Sequence, residues 1–261
     1  VMRKIGEMGF LGIAVPEAYG GLGMGFVTTM LACDYLSGST GSLATAYGAH
    51  TGIGTLPILL YGTEEQKQKY LPAMQQFDLI GAFGLTEPEV GSGAAGGLTT
   101  TCKKVEGGWI LNGQKKWIGN ATFADVIIIW ARDLDDNQVK GFIVEKGTEG
   151  FSVEKIKGKM ALRIVQNGLI TMKDCFVADS QKMEHANSFK DTAKVLQMTR
   201  AGVAWMATGC ARGAYESALD YTRKRKQFGK PIASFQLQQK KLAEFLTEIT
   251  KAQLLCLQLG N

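Results

Sequence analysis

Trp109-Ile110-Leu111-Asn112-Gly113-Gln114-Lys115-Lys116-Trp117-Ile118-Gly119-Asn120 is the stretch on which the fold turns. Asn-Gly between apolar runs is the strongest short hairpin signal, because both residues tolerate positive φ. Residues 109–111 and 115–118 are therefore expected to pair as neighbouring strands. Outward from this centre, β-branched and aromatic residues collect in further short runs at 126–131, 139–145 and 168–177. No helical period separates them, so residues from about 78 to 179 are expected to form an antiparallel sheet or small barrel.

Helical periodicity flanks this region on both sides. Residues 1–77 read as a helix near the start, a glycine-rich turn over 16–23, and two or three further helices. Thr63-Glu64-Glu65-Gln66 carries the pattern of a capping box, and its helix is expected to hold 66–71 and to stop before Pro72. From about Ser188 the period of 3.6 resumes, with Val195, Met198, Gly202 and Trp205 on one face and Leu242, Phe245, Leu246 and Ile249 on another. Gly202, Ala207, Gly209, Ala211 and Gly213 would let a second helix approach closely. Helices, then sheet, then helices give an α+β chain of three modules: an N-terminal helical domain over 1–77, a middle antiparallel β domain over 78–180, and a C-terminal helical bundle over 181–261.

The 261 residues are 45% hydrophobic and 20% charged, as in a soluble globular protein with a substantial core. The longest apolar runs fall far short of the roughly 20 residues that cross a bilayer, so no membrane span is expected. Val1 lies inside a helical pattern without a leader, so any targeting peptide has been removed or was not included. Five cysteines without a CxxC spacing argue against a disulfide framework or zinc site. His50 and His185 read as ordinary polar or partly buried residues, and no metal ligand set is expected. The net charge of +5 is spread, apart from Arg223-Lys224-Arg225-Lys226, and lacks the broad basic stripe of a nucleic-acid binder.

Three segments carry the chemistry. Phe83-Gly84-Leu85-Thr86-Glu87-Pro88, followed by Gly91-Ser92-Gly93, places a hydroxyl and open backbone at the end of a strand. Trp117-Ile118-Gly119-Asn120 offers an indole that could cover an aromatic cofactor. Arg223 to Gly229 brings cations to the end of a helix, where they suit the macrodipole or a pyrophosphate.

In this order and at these separations the segments resemble the acyl-CoA dehydrogenase family. The resemblance also rests on Met8-Gly-Phe-Leu-Gly-Ile-Ala-Val-Pro-Glu, Gly20-Gly-Leu-Gly, Tyr61-Gly-Thr-Glu-Glu-Gln-Lys and Arg225-Lys-Gln-Phe-Gly, and covers nearly the whole chain. Residues 205–260 and Gly141-Phe-Ile-Val-Glu-Lys-Gly look most like glutaryl-CoA dehydrogenase. Trp117-Ile-Gly-Asn and Val165-Gln-Asn-Gly look more like plant-type short-chain acyl-CoA oxidase. The resemblance implies a homotetramer or homodimer that binds FAD and an acyl-CoA substrate. It sets the flavin against Phe83, Leu85, Thr86, Trp117 and Gly119. Gly91 would shape the loop and Ser92 would lie near the thioester, with Arg200 close to the substrate. Arg225, Gln227 and Phe228 would reach the FAD of a neighbouring subunit, with Gln236 beside them.

The implied reaction removes an α-proton to a glutamate while the β-hydrogen leaves as hydride to the flavin. That glutamate belongs to a Tyr-Glu-Gly-type segment expected beyond Asn261, and the family's second position for the base is filled by Thr199. No catalytic base is therefore assigned within the chain, whose bundle also reads as incomplete. Most dehydrogenases carry threonine or serine where Gly119 stands, and Gly93 replaces a usual aspartate. The arginine that holds a distal carboxylate in glutaryl-CoA dehydrogenase is matched by Ala44, which implies a short, neutral acyl chain.

Three readings follow: a dehydrogenase passing electrons to an electron-transfer flavoprotein, an oxidase passing them to oxygen, and a non-catalytic scaffold or assembly factor. The dehydrogenase reading implies the mitochondrial matrix, the oxidase reading the peroxisome, and a bacterial source the cytoplasm.

Overall fold

The computed structural model describes residues 1–260. They form two compact units, one made of Val1–Met24 with Thr45–Thr199, the other of Gly25–Ala44 with the chain from Arg200 onward.

The first unit is built on seven strands: β1 (Gly81–Gly84), β2 (Thr101–Val105), β3 (Gly108–Ile118), β4 (Val126–Asp133), β5 (Val139–Glu145), β6 (Phe151–Lys155) and β7 (Gly168–Ala178). They join in the order β1-β4-β2-β3-β7-β6, with β5 also paired to β4. Most pairs are antiparallel as expected, but β4 runs parallel to β1, with Gly81 opposite Val126, and to the start of β2, with Thr101 opposite Arg132.

The apolar run of β4 follows from burial on both faces. Val126, Ile128 and Trp130 join Ile58, Tyr70, Leu71 and Met74 in one core, while Ile127, Ile129 and Ala131 join Leu111, Phe142 and Ile170 in another. A strand covered on both sides loses the apolar-polar alternation. Each of its large side chains contributes roughly 1.5–3 kcal/mol through burial.

Asn112-Gly113 does not form the expected hairpin turn. β3 runs unbroken through it, and the two-residue turn is Glu106-Gly107, with Val105 opposite Gly108. The tolerance of positive φ is used inside the sheet instead. Leu111 faces Cys175 and Gly113 faces Met172, so β7 bulges with two residues opposite Asn112. The Asn112 side chain clamps that bulge, accepting from the Asp174 amide (2.8 Å) and donating to the Asp174 carboxylate (3.1 Å). Gly113 has φ 140°, and a Cβ there would lie 2.7 Å from Thr100 Cα.

The first unit also carries α1 (Met2–Glu7), α4 (Leu56–Tyr61), α5 (Glu64–Gln75) and the short α6 (Ala94–Gly97). The capping box of α5 forms as expected: the Gln66 amide donates to Thr63 Oγ1 (3.2 Å) and the Thr63 amide to Gln66 Oε1 (3.0 Å). Pro72 does not end this helix, which runs on to Gln75. The lost amide bond is outweighed by tertiary packing, since Tyr70, Leu71 and Met74 are all buried in the core.

A π-helical turn, Ala49–Gly54, places His50 in the interior. His50 Nε2 lies 2.8 Å from the Met74 carbonyl and Nδ1 accepts from the Gly81 amide at 2.9 Å, which assigns the proton to Nε2. Burial lowers its pKa to about 4, so the ring is neutral at physiological pH.

The second unit contains α2 (Phe26–Ser39), the first part of α3 (Gly41–Gly48), the later part of α7 (Phe189–Lys224) and α8 (Gln236–Gly260). Its small residues do what their pattern implied. A Cβ at Gly209 would lie 2.2 Å from the Asp34 carbonyl oxygen, and one at Gly213 2.0 Å from that of Gly38. Between them Arg212 donates to the Asp34 carboxylate (3.1 Å) and to that of Glu216 (2.9 Å). Trp205 and Ile249 are buried, whereas Phe245 and Leu246 on the expected apolar face of α8 leave about half their surface open (51% and 49%). No helix among the described residues is long and apolar enough to cross a membrane.

Candidate active site

β1 ends at Gly84, and the chain continues as Leu85-Thr86-Glu87 alongside the last third of β3. The Lys116 amide donates to the Thr86 carbonyl at 2.8 Å, so main chain ties Thr86 to the residue before Trp117. Beneath them lies an ion pair that no motif reading had singled out. Lys115 Nζ sits 2.8 Å from Glu87 Oε1 and 3.2 Å from the Leu85 carbonyl, and both charged side chains are closed to solvent (0% and 1% exposed). Glu87 also accepts from the Thr99 amide (2.7 Å), the Thr99 hydroxyl (2.6 Å) and the Thr100 amide (3.0 Å).

Burial opposes the charge on Glu87, but Lys115 and the threonine donors outweigh it and hold its pKa at about 2. Burial lowers Lys115 to about 8, with Glu87 working against that shift. Both groups are charged at neutral pH. A buried, hydrogen-bonded pair of this kind adds little net stability over an apolar replacement. Here it fixes the path of residues 85–87.

Trp117 owes its exposure to a second bulge. Lys115 faces Ile170 and Ile118 faces Gly168, so Lys116 and Trp117 together oppose Leu169. Trp117 adopts φ 65°, and its side chain is thrown out of the sheet, 51% exposed. Bulges re-aim side chains in this way and gather near active sites. Lys116 Nζ lies 5.7 Å from the Trp117 ring. The ladder bond lost at the bulge is replaced by a side chain, because Asn167 Nδ2 donates to the Trp117 carbonyl at 2.9 Å.

Gly119 has no backbone need for glycine. Its φ is not left-handed, and an added Cβ would meet only Ala49 Cβ at 3.6 Å and Val165 Cγ1 at 3.8 Å, which is ordinary contact.

Of the other residues singled out in the first unit, Phe83 and Leu85 point into the core and are almost closed (7% and 8% exposed). A ligand there would meet their backbone rather than their side chains. Gly91, Ser92 and Gly93 form an exposed loop with nothing within 4 Å of a Cβ at either glycine.

The second unit holds the remaining candidates. β8 (Lys226–Gln227) and β9 (Lys230–Pro231) form a tight hairpin whose turn is Phe228-Gly229, with φ 51° and 79°. Phe228 is 91% exposed and packs edge-on against Phe235 at 6.2 Å. The Ile232 amide donates to the Arg225 carbonyl at 2.9 Å and closes the hairpin base. Arg225, Gln227, Phe228 and Gln236 are thus gathered on one hairpin and the helix start after it, all exposed. Arg200 is exposed on α7.

The site fits a flavin in its first unit on two counts: an indole held outward in a left-handed conformation beside the part-exposed Thr86, and an open position at Gly119. Sequence reasoning missed Lys115, Glu87 and Asn167. Lys115 carried a signal, since it shares the inward parity of Leu111 on β3, and a lysine on a buried face requires a partner.

Comparison with known proteins places this geometry. The N-terminal domain model of acyl-CoA dehydrogenases matches residues 1–78, the middle domain model 82–175 and the C-terminal domain model 189–261. An acyl-CoA dehydrogenase of Bacillus subtilis is 38% identical over 256 residues, which is 97% of this chain and 67% of the relative. The crystal structure of glutaryl-CoA dehydrogenase from Mycobacterium smegmatis superposes with a TM-score of 0.92 at 37% identity, over 99% of this chain and 66% of that one. A second structure of a glutaryl-CoA dehydrogenase from that organism, in complex with FADH2, gives 0.93 at 34% identity, over 99% and 66%. The chain spans about two thirds of the length of these relatives. It belongs to the acyl-CoA dehydrogenase family, whose cofactor is FAD.

Proposed function

We propose that the chain supplies flavin and thioester surfaces of an enzyme that dehydrogenates a short, neutral acyl-CoA. The product is the trans-2-enoyl-CoA, and the electrons pass to an electron-transfer flavoprotein. The observation that carries this reading is Trp117, turned outward by a bulge whose main chain is bonded to Thr86. The chemistry that FAD would supply, when bound, is acceptance of the β-hydrogen with its electron pair. Trp117 offers one face to the ring system and Thr86 a hydroxyl at its edge. Ser92, in a loop left open by Gly91, serves the thioester, and Arg200 of the second unit is offered to the substrate. Arg225, Gln227, Phe228 and Gln236 form a surface of donors and one aromatic ring for the cofactor of a second copy in a homo-oligomer.

Thr199 cannot act as the base. Its hydroxyl donates to the Val195 carbonyl at 2.9 Å, and its side chain carries no carboxylate to accept the α-proton. The preference for a neutral chain follows from the absence of Arg and Lys between Lys4 and Lys67 and from Ala44, which is fully buried. A distal carboxylate would there remain unpaired, at a cost of several kcal/mol.

The test is the flavin absorbance of the full-length protein without oxygen. Butyryl-CoA is expected to bleach the band and glutaryl-CoA to leave it unchanged. Bound flavin that neither substrate bleaches would refute the reading and favour a non-catalytic scaffold.

A second reading, an oxidase passing electrons to oxygen, is favoured by one observation: Gly119 is open where a side chain would fit. Gly119→Thr should fold normally and slow reoxidation of the reduced flavin by air at least ten-fold. An unchanged reoxidation rate would remove this reading.

A further inference from the structure

Lys159 is a cation whose partners include no carboxylate among the described residues. Its ammonium donates to the Leu162 carbonyl (2.9 Å), the Val165 carbonyl (2.6 Å) and Asn167 Oδ1 (2.5 Å), three neutral oxygens in the loop that joins β6 to β7. An ammonium has three donors, and all three are spent on shaping one loop. Two consequences reach the flavin side of the sheet.

The first concerns Asn167. With Oδ1 committed to a cation, its amide can turn only Nδ2 towards the Trp117 carbonyl, the group left without a ladder partner by the bulge. The second concerns Val165, which is 3% exposed and whose side chain lies against the open side of Gly119. One lysine therefore sets both the backbone of Trp117 and one wall of the Gly119 position. The arrangement needs help to persist, because Trp117 and Leu162 both hold left-handed conformations that bulky residues rarely adopt (φ 65° and 47°).

We propose that Lys159 is a positioning residue that acts through Asn167 to lock the indole of Trp117 in the orientation in which it meets the flavin. The last clause rests on the placing of Trp117 under Proposed function. The relay from Lys159 to Trp117 does not.

The test uses the full-length protein labelled with 5-fluorotryptophan and read by fluorine NMR, which reports on Trp109, Trp117, Trp130 and Trp205 of this chain. The Trp117 signal is assigned by its absence in Trp117→Phe. Asn167→Asp keeps an acceptor for Lys159 but loses the donor to Trp117. Lys159→Met removes the cation, and Lys159→Arg restores donors to the loop. Asn167→Asp and Lys159→Met are expected to shift and broaden the Trp117 signal alone, Lys159→Arg to recover it in part, and the two disruptive variants to weaken flavin binding about ten-fold. A general loss of structure would move the Trp109, Trp130 and Trp205 signals as well. An unmoved Trp117 signal in Asn167→Asp would overturn the relay, whatever Lys159→Met does to folding. A Trp117 signal that moves while flavin affinity stays constant would uphold the relay and refute the placing of Trp117 on the flavin.

Discussion

Replacing Lys115 by methionine isolates what the buried ion pair does. The apolar stem is kept and only the charge is removed. Glu87 would then retain the Thr99 and Thr100 donors but lose its counter-ion, with its side chain 1% exposed. Breaking a buried pair from one side costs about 3–5 kcal/mol at neutral pH, because the remaining charge is uncompensated. For a protein of this size that lowers the melting temperature by roughly 10 °C. The pH dependence gives the sharper criterion. In the wild-type chain the Glu87 pKa lies below its ordinary value, so its contribution is present above about pH 4.5 and fades as the pH falls towards 2. In Lys115→Met the lowering by Lys115 is lost, so burial, opposed only by the Thr99 and Thr100 donors, leaves the Glu87 pKa higher than in the wild-type chain. The deficit is then full at pH 7 and shrinks as Glu87 takes up a proton on acidification. Guanidinium melts of the full-length protein at pH 7 and pH 5 measure both quantities. The double variant Glu87→Gln/Lys115→Met should recover more than half of the loss. A variant within 1 kcal/mol of wild type at pH 7, or a deficit that does not narrow at pH 5, would show that the pair does not brace residues 85–87 as described.

Two further outcomes are expected. His50 is buried neutral with a pKa near 4, below its unfolded value of 6.5, so it should cost stability as the pH falls from 6.5 towards 4. The full effect is about 3 kcal/mol, and urea melts of His50→Gln should show this part of the slope removed. Gly209→Ala would press a methyl against the Asp34 carbonyl, and thermal melts should show a loss of about 1–3 kcal/mol from overpacking.

Much of the fold could be read because local signals and tertiary demand agree. The Thr63 to Gln66 box, the runs that became β4, β5 and β7, and the glycines at 209 and 213 each satisfy a rule within one or two turns or strands. Asn112-Gly113 misled because positive φ is needed by bulges as well as by turns, and only the partner strand decides between them. Pro72 misled because burial of Tyr70, Leu71 and Met74 outweighs one missing amide bond. The short strands β2 and β6 carry too few residues for a period to register. At the site, Trp117 and Thr86 were legible as motif members. The reason that the indole faces outward was not legible, since it lies in register and in side chains some 50 residues away. The Glu87–Lys115 pair shows the same limit: each partner was visible, but not their meeting.

The π-helical turn at Ala49–Gly54 makes the chain intolerant of a particular kind of change. A single residue deleted from it would restore ordinary helical bonding, so local energetics alone would count the shortened segment as an improvement. Yet the residues on one side would rotate by about 100° relative to the other. His50 would lose the Met74 carbonyl and the Gly81 amide together, and Ala49 would leave the wall it shares with Gly119. Length variation among homologues should therefore spare this one turn, even where the loops around it vary freely.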